Sequence, residues 1–299
     1  AMETALYTLP PEVASIRRAV ARLCEDFPAA YWRDADAARA YPSAFVAALT
    51  KGGYLAALIP TEYGGSGLPL VAAAAILQQV QESGGNGAAC HAQMYMLGAI
   101  LRHGSAEQKA RYLPAIASGA LRFQAFGVTE PGSGTDTAAI RTRATRTGSG
   151  WRIRGQKIWT SRAEHSDLML LLARTSDPAP GGKRHDGLSA FLVDLREALH
   201  RGLTIRPIRT MMNHATTEVF LDDVEVPEDA LLGAEGQGFH CILTGMNAER
   251  ILIGAECVGD ARWFIAKAAA YARERVVFGR AIGQNQGVAF PLARCFAET

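Results

Sequence analysis

The sequence predicts an α+β chain with an N-terminal all-α domain at 1–121, a middle β-barrel or sandwich-like domain at 122–232, and a C-terminal helical bundle at 233–299 that ends incomplete. Three observations carry this. Ala-rich segments with apolar residues every three to four positions fill the first 121 residues, short β-branched runs replace them from Leu121, and helical periodicity returns after Val226-Pro227.

The helical spacing predicts segments at Val13–Asp26, Ala37–Lys51, Leu70–Ser83 and Ala88–His103, interrupted by Pro28, Pro42, Pro60 and the Gly64–Pro69 cluster. Strand-like runs then follow at Phe123–Thr129, Ile140–Arg146, Trp151–Thr160, Asp167–Arg174, Leu188–Asp194, Leu203–Pro207 and Glu218–Val226. The segment Ser176–Asp186 is rich in Pro, Gly and charge, which reads as a mobile surface loop and not as a site. A long apolar-periodic helix is predicted from about Gly238 to Val277, then a glycine-punctuated break at Phe278–Gly283 and a new helix near Gln284.

At 299 residues, 48% hydrophobic and 20% charged, the chain is large enough to bury a core without disulfide or metal staples. The 31 basic and 29 acidic residues balance to a net charge of +2 without a basic run, which argues against nucleic acid as a partner. Five cysteines, Cys24, Cys90, Cys241, Cys257 and Cys295, are scattered and unpaired in sequence, so neither a disulfide framework nor a zinc site is expected. The seven histidines show no metal-ligand spacing, and most are expected to be exposed or satisfied locally. The start carries Glu3, Glu12 and Pro10-Pro11 in place of a basic, apolar leader, and no apolar span reaches membrane-crossing length. A soluble, reducing, cytoplasmic setting is expected, and Ala1 before Met2 is read as an expression artefact.

The chemistry is concentrated in FGVTEPGSGTD, Phe126–Asp136, where an apolar run ends in a threonine, a proline turn and glycines among small hydroxyl residues. Gly132 and Gly134 allow main-chain N–H groups to approach a ligand closely, although the P-loop and dinucleotide glycine spacings are both absent. Alternating residues around the Gly148-Ser149-Gly150 turn lead to GQKIWTS, Gly155–Ser161, so that loop and aromatic-hydroxyl strand are expected to meet on one sheet.

At these residues the sequence resembles the acyl-CoA dehydrogenase family. Further blocks in the family order are HGSAEQKARYLPAIASG at His103–Gly119, VFLDDVEVPEDALLG at Val219–Gly233, GQGFHCILTGMNAER at Gly236–Arg250 and ARERVVFGRAIGQNQ at Ala272–Gln286. The resemblance implies FAD, with Phe126, Val128 and Thr129 against the flavin, Gly134 and Thr135 toward its phosphates, and Trp159, Thr160 and Ser161 over the isoalloxazine. It also implies that Arg275, Phe278 and Gln286 reach the FAD of a neighbouring subunit in a homodimer or homotetramer.

Abstraction of a proton α to a thioester requires a carboxylate in a dry pocket. By resemblance to the isovaleryl- and long-chain-like members, that base is Glu249, in GMNAERILIGAE, with Glu256 a weaker candidate and Glu130 a support of the turn. Asn247, Arg250 and Thr135 match positions toward acyl-CoA, and the Met94-Tyr95-Met96 cluster is read as core or as the acyl end of the pocket. The implied reaction is α,β-dehydrogenation to a 2-enoyl-CoA, with electrons passing to an electron-transferring flavoprotein. An oxygen-using oxidase of the same fold, or an incomplete homologue that binds acyl-CoA or a partner without turnover, are the alternatives. The family's bundle continues beyond the pattern that stops at Ala297-Glu298-Thr299, so the chain is expected to be truncated.

Overall fold

The computed structural model describes residues 9–299, so Ala1, Met2 and Glu3 lie outside the described residues. Contacts divide the chain into two compact units, one drawn from residues up to Arg33, Leu70–Gly87 and Ile251–Thr299, the other from Asp34–Pro69 and Ala88–Arg250.

The first unit is helical. Helix α1 (Pro11–Glu25) packs on α4 (Leu70–Glu82), and Arg17 crosses between them to Gln79 at 3.1 Å and Glu82 at 2.7 Å. The later part of α8 (Gly238–Glu274) meets α4 where Gln81 donates to both carboxylate oxygens of Asp260 at 3.1 Å. A two-strand turn of β9 (Val276–Val277) and β10 (Arg280–Ala281) precedes α9 (Gln286–Glu298), which occupies the region where the sequence predicts a break and a new helix.

The second unit holds one eight-stranded sheet formed by β1 (Phe123–Gly127), β2 (Arg143–Arg146), β3 (Gly150–Ser161), β4 (Leu168–Arg174), β5 (Leu188–Asp194), β6 (Leu203–Pro207), β7 (Thr216–Pro227) and β8 (Leu231–Leu232). Its order is β6-β7-β3-β2-β4-β5-β8, with β1 pairing parallel to β4 and most other pairs antiparallel. Alternate residues of β4, Met169, Leu171 and Ala173, enter a core with Ile153, Val193 and the edge-to-face pair Trp151–Phe191. The other face of β4 is equally buried, which explains its unbroken apolar run LMLLLAR. The short helix α7 (Leu195–Ala198) is capped by Asp194.

Three helices complete this part of the chain, α3 (Ser43–Lys51), α5 (His91–His103) and α6 (Ala106–Ser118), with α5 lying on β1, whereas α2 (Ala29–Ala38) begins in the first unit and ends in the second. The expected single segment Ala37–Lys51 is divided, because Arg39 takes a left-handed φ of 51° and Tyr41 precedes a proline, which disfavours helical backbone at that residue. Helix α6 starts in a capping box: Ser105 Oγ accepts from Gln108 N at 3.1 Å, and Gln108 Oε1 accepts from Ser105 N at 3.0 Å. The Ser176–Asp186 segment forms the exposed surface loop expected, and several of its carbonyls are hydrogen-bonded. The Arg174 guanidinium, almost fully buried, donates to the carbonyls of Ala138, Ser176, Arg184 and Asp186.

Candidate flavin and acyl-thioester site

The glycine loop and the aromatic strand meet as the sequence predicts. Beyond β1, Glu130 and Ser133 exchange backbone hydrogen bonds at 3.0 Å in both directions, and Ile158 N of β3 donates to Thr129 O at 2.9 Å. Beneath the turn lies Lys157, fully buried, whose ammonium donates to Val128 O at 3.1 Å and Glu130 Oε1 at 2.9 Å. Glu130 also accepts from Arg141 N at 2.6 Å and Thr142 N at 2.9 Å.

Burial opposes the charge on both members of this pair. For Glu130 it is outweighed by the Lys157 ammonium and the hydrogen bonds, which leave the carboxyl below its usual range. For Lys157 burial dominates the attraction of Glu130 and brings the ammonium down to about 8. Glu130 is therefore a structural anion beneath the loop.

Strand β3 shifts register against β7 between Lys157 and Thr160, and Trp159 sits in that irregularity with φ of 61° and 57% of its surface exposed. A bulge of this kind redirects a side chain, here an indole that would otherwise stay in the pleat. Thr160 is buried, its carbonyl accepts from Thr217 Oγ1 at 2.6 Å, and its own hydroxyl has no protein partner among the described residues. Phe126, Val128, Thr129 and Ser161 are half-buried, while Gly134 and Thr135 are exposed on the loop. A flat exposed aromatic beside an orphaned buried hydroxyl fits a planar ring system with hydrogen-bonding heteroatoms at its edge.

The carboxylate comes from α8. Its first turn is fixed by contact, since a Cβ on Gly238 would stand 2.3 Å from Ser189 C and 2.4 Å from Ala190 N. Thr244 holds the next turn, its hydroxyl 3.0 Å from His103 Nε2 and its carbonyl accepting from Arg102 at 3.0 Å. Gly245 then passes Tyr95 O of α5 at 3.5 Å from its would-be Cβ. One turn along α8 from Gly245 is Glu249, and one turn before Tyr95 is His91, so the two helices bring this carboxyl and imidazole level.

Glu249 forms no ion pair among the described residues, because Arg250 turns to Asn247 Oδ1 at 3.0 Å. Burial raises the Glu249 pKa, with His91 and Arg250 opposing the rise. Glu256 is nearly fully buried, and its carboxylate stands 2.5 Å from a would-be Cβ on Gly87. Met94, Tyr95 and Met96 are buried on α5. Arg275, Phe278 and Gln286 are exposed, Phe278 fully so, at the β9–β10 turn and the start of α9.

Two features were not legible from spacing. His91 and His214 stand on either side of Arg162, Nη2 lying 3.5 Å from His91 Nε2 and Nη1 lying 3.4 Å from His214 Nε2. These residues are 71 and 52 positions from Arg162, so no local motif announces them. A groove of about 610 Å³ is lined by Lys183, His185, Asp186, Gln237, Phe239 and His240, with His185 stacked on Phe239 at 4.8 Å. The only sequence signal for it is the family block around Phe239. No group of three or more metal-ligating side chains occurs among the described residues.

Residues 10–120, 125–224 and 236–299 match the acyl-CoA dehydrogenase N-terminal, middle and C-terminal domains respectively. The chain is 33% identical over 290 residues to the acyl-CoA dehydrogenase FadE12 of Mycobacterium tuberculosis, covering 96% of this chain and 73% of that one. It is 34% identical over 258 residues to an acyl-CoA dehydrogenase of Bacillus subtilis, covering 85% and 66%. Among solved structures, glutaryl-coenzyme A dehydrogenase in complex with glutaryl-CoA superposes with a TM-score of 0.89 at 28% identity, covering 98% and 74%. An acyl-CoA dehydrogenase of Geobacillus kaustophilus gives 0.89 at 27%, covering 99% and 77%.

Proposed function

Because the chain belongs to the acyl-CoA dehydrogenase family, oxidoreductases acting on acyl-CoA, we propose that it binds FAD and introduces an α,β double bond into an acyl-CoA thioester with Glu249 as the base. The observation that carries this reading is the Glu249 carboxyl itself. It is half-buried on α8, without an ion-pair partner among the described residues, and held level with His91.

Bound flavin supplies the hydride acceptor. Phe126, Val128 and Trp159 give the ring its apolar walls, Thr129, Thr160 and Ser161 offer hydroxyls to its edge, and Gly134 and Thr135 face its phosphates. Glu249 removes the α-proton, and its low exposure keeps water from competing for the carboxylate. Asn247 and Arg250 hold the thioester's pantetheine end, and the groove between Lys183 and Phe239 is wide enough for the nucleotide end of coenzyme A. Arg275, Phe278 and Gln286 complete the FAD site of a neighbouring subunit, where an arginine fork suits a pyrophosphate. The electron acceptor that this reading implies is an electron-transferring flavoprotein.

The test is an anaerobic titration of the flavin-loaded protein with an acyl-CoA panel, followed by flavin absorbance, with Glu249→Gln alongside. Bleaching in the parent and its loss by on the order of 10³-fold or more in the variant is expected. Equal bleaching in both moves the base elsewhere, and absence of bound flavin removes the reading altogether.

A further inference from the structure

We propose that a cleft between α6, α7 and the end of β7 binds a small aliphatic amine in its ammonium form. None of the residues that line it is among those assigned to flavin or thioester, so the inference stands apart from the proposed reaction.

The cleft has a volume of about 340 Å³, at the small end of the range for ligand pockets, and its lining comes entirely from the second unit. Its floor is aliphatic: Leu192, Val226 and Ala230 are buried there, and Tyr112 closes it from α6. Tyr112 is only 4% exposed, yet its hydroxyl makes no hydrogen bond among the described residues. A buried hydroxyl left without a partner costs about 1–3 kcal/mol, so this one calls for a partner from outside the chain. Burial raises its pKa, Arg111 opposes the rise, and Asp229, Asp194 and Glu197 add to it, which sets the hydroxyl in the field of two carboxylates of the cleft.

Three carboxylates line the cleft with this phenol. Asp194 Oδ1 accepts from Arg196 N at 2.9 Å and Glu197 N at 3.3 Å, while its Oδ2 accepts no hydrogen bond among the described residues. Glu197 is exposed on α7. Asp223 is placed by a bulge: it takes a φ of 54° where β7 carries an extra residue against β3 between Ile153 and Gly155. None of the three forms an ion pair among the described residues, because the neighbouring cations are engaged elsewhere. Arg111 pairs with Asp229 at 3.5 Å and lies over the Tyr112 ring at 5.1 Å, and Arg152 pairs with Glu225 at 3.1 Å. Arg201, exposed on the lining, pairs with none of the three, and a single guanidinium leaves the carboxylates in excess. The carboxylates form no group that could hold a metal ion among the described residues, so the cation that suits them is a larger, organic one. An alkylammonium brings three N–H donors for the carboxylates and the phenol oxygen, and an apolar stem for the floor.

The experiment is a calorimetric titration of the full chain with pentylamine at neutral pH, with pentanol and pentanoate as probes of the same length. Pentylamine should bind on the order of 10-fold or more tightly than either. Tyr112→Phe, which removes only the oxygen, and Glu197→Gln, at an exposed position, should each weaken pentylamine on the order of 10-fold. Glu62→Gln, the same charge change at an exposed residue outside the lining, should leave it unaltered. Absence of saturable heat with pentylamine overturns the inference, as does equal binding of pentanol or pentanoate. It is overturned too if Glu62→Gln weakens pentylamine as much as Glu197→Gln does, the mark of diffuse charge attraction. Should Tyr112→Phe fail to fold, Glu197→Gln decides alone. Every readout is free of acyl-CoA, so failure here leaves the assignment of Glu249 standing.

Discussion

Lys157 shows how much of a ligand loop can hang on one side chain. With no exposed surface, its ammonium has two acceptors, Val128 O and Glu130 Oε1, and Glu130 in turn orders Arg141 and Thr142. Replacing it by methionine leaves Glu130 charged and buried without its counter-ion, a change that typically costs about 3–5 kcal/mol. Lys157→Met should lower the denaturant midpoint accordingly, and a second substitution, Glu130→Gln, should recover much of the loss. Strictly additive destabilisation in that cycle would show that the two charges do not depend on each other. At Glu249 the consequence is kinetic. A base acts deprotonated, and burial raises this carboxyl above its ordinary value, so the rate of anaerobic flavin reduction should fall as pH drops through a pKa higher than 4.5. His91→Asn removes the imidazole that opposes the rise and should move that acid limb further up. An unmoved limb would separate His91 from the base. The Glu130 and Glu249 positions were both visible in the sequence, but the Arg162 cluster was not, since it is assembled from residues far apart in the chain and no periodicity encodes such a meeting.

At the scale of elements, strand boundaries were legible because the apolar runs are short and bounded by turn residues. Leu188–Asp194 and Leu203–Pro207 stand where the sequence placed them. Helix α6 is not among the segments that the helical spacing delimits, and Pro114 inside it removes a backbone donor and argues against helix locally. The capping box at Ser105 and Gln108 overrides that, and Gln108 does more. Its amide nitrogen also donates to Asp229 O at 2.7 Å and Leu231 O at 2.9 Å, linking the start of α6 to the β8 edge of the sheet. Gln108→Ala loses the reciprocal cap and leaves two carbonyls without this donor, so it should cost about 2–3 kcal/mol in equilibrium unfolding. Ser105→Ala, which loses the cap alone, should cost about 1 kcal/mol. Equal effects from the two would mean that the bonds to Asp229 and Leu231 contribute nothing.

For the whole molecule, the exposed residues at the β9–β10 turn carry the remaining argument. Phe278 is fully exposed at φ 52°, and Arg275 and Gln286 are exposed beside it in sequence, an expensive way to display an aromatic unless another surface receives it. If, as proposed, these residues complete the FAD site of a neighbouring subunit, each site draws its base from one chain and its pyrophosphate contact from another. Two inactive variants should then restore each other. Glu249→Gln lacks the base but offers an intact Arg275, and Arg275→Ala retains Glu249 but cannot hold its neighbour's cofactor. Co-refolded in equal amounts as a two-fold dimer, half of the molecules are mixed and one site in each mixed dimer is intact, so about a quarter of parental activity should return. The chemistry of an arginine paired with a pyrophosphate makes the loss in Arg275→Ala one of FAD affinity, measurable by flavin release on dilution. Mixtures that stay at the level of the separate variants would place Arg275 outside any shared site, and would leave the base assignment at Glu249 untouched.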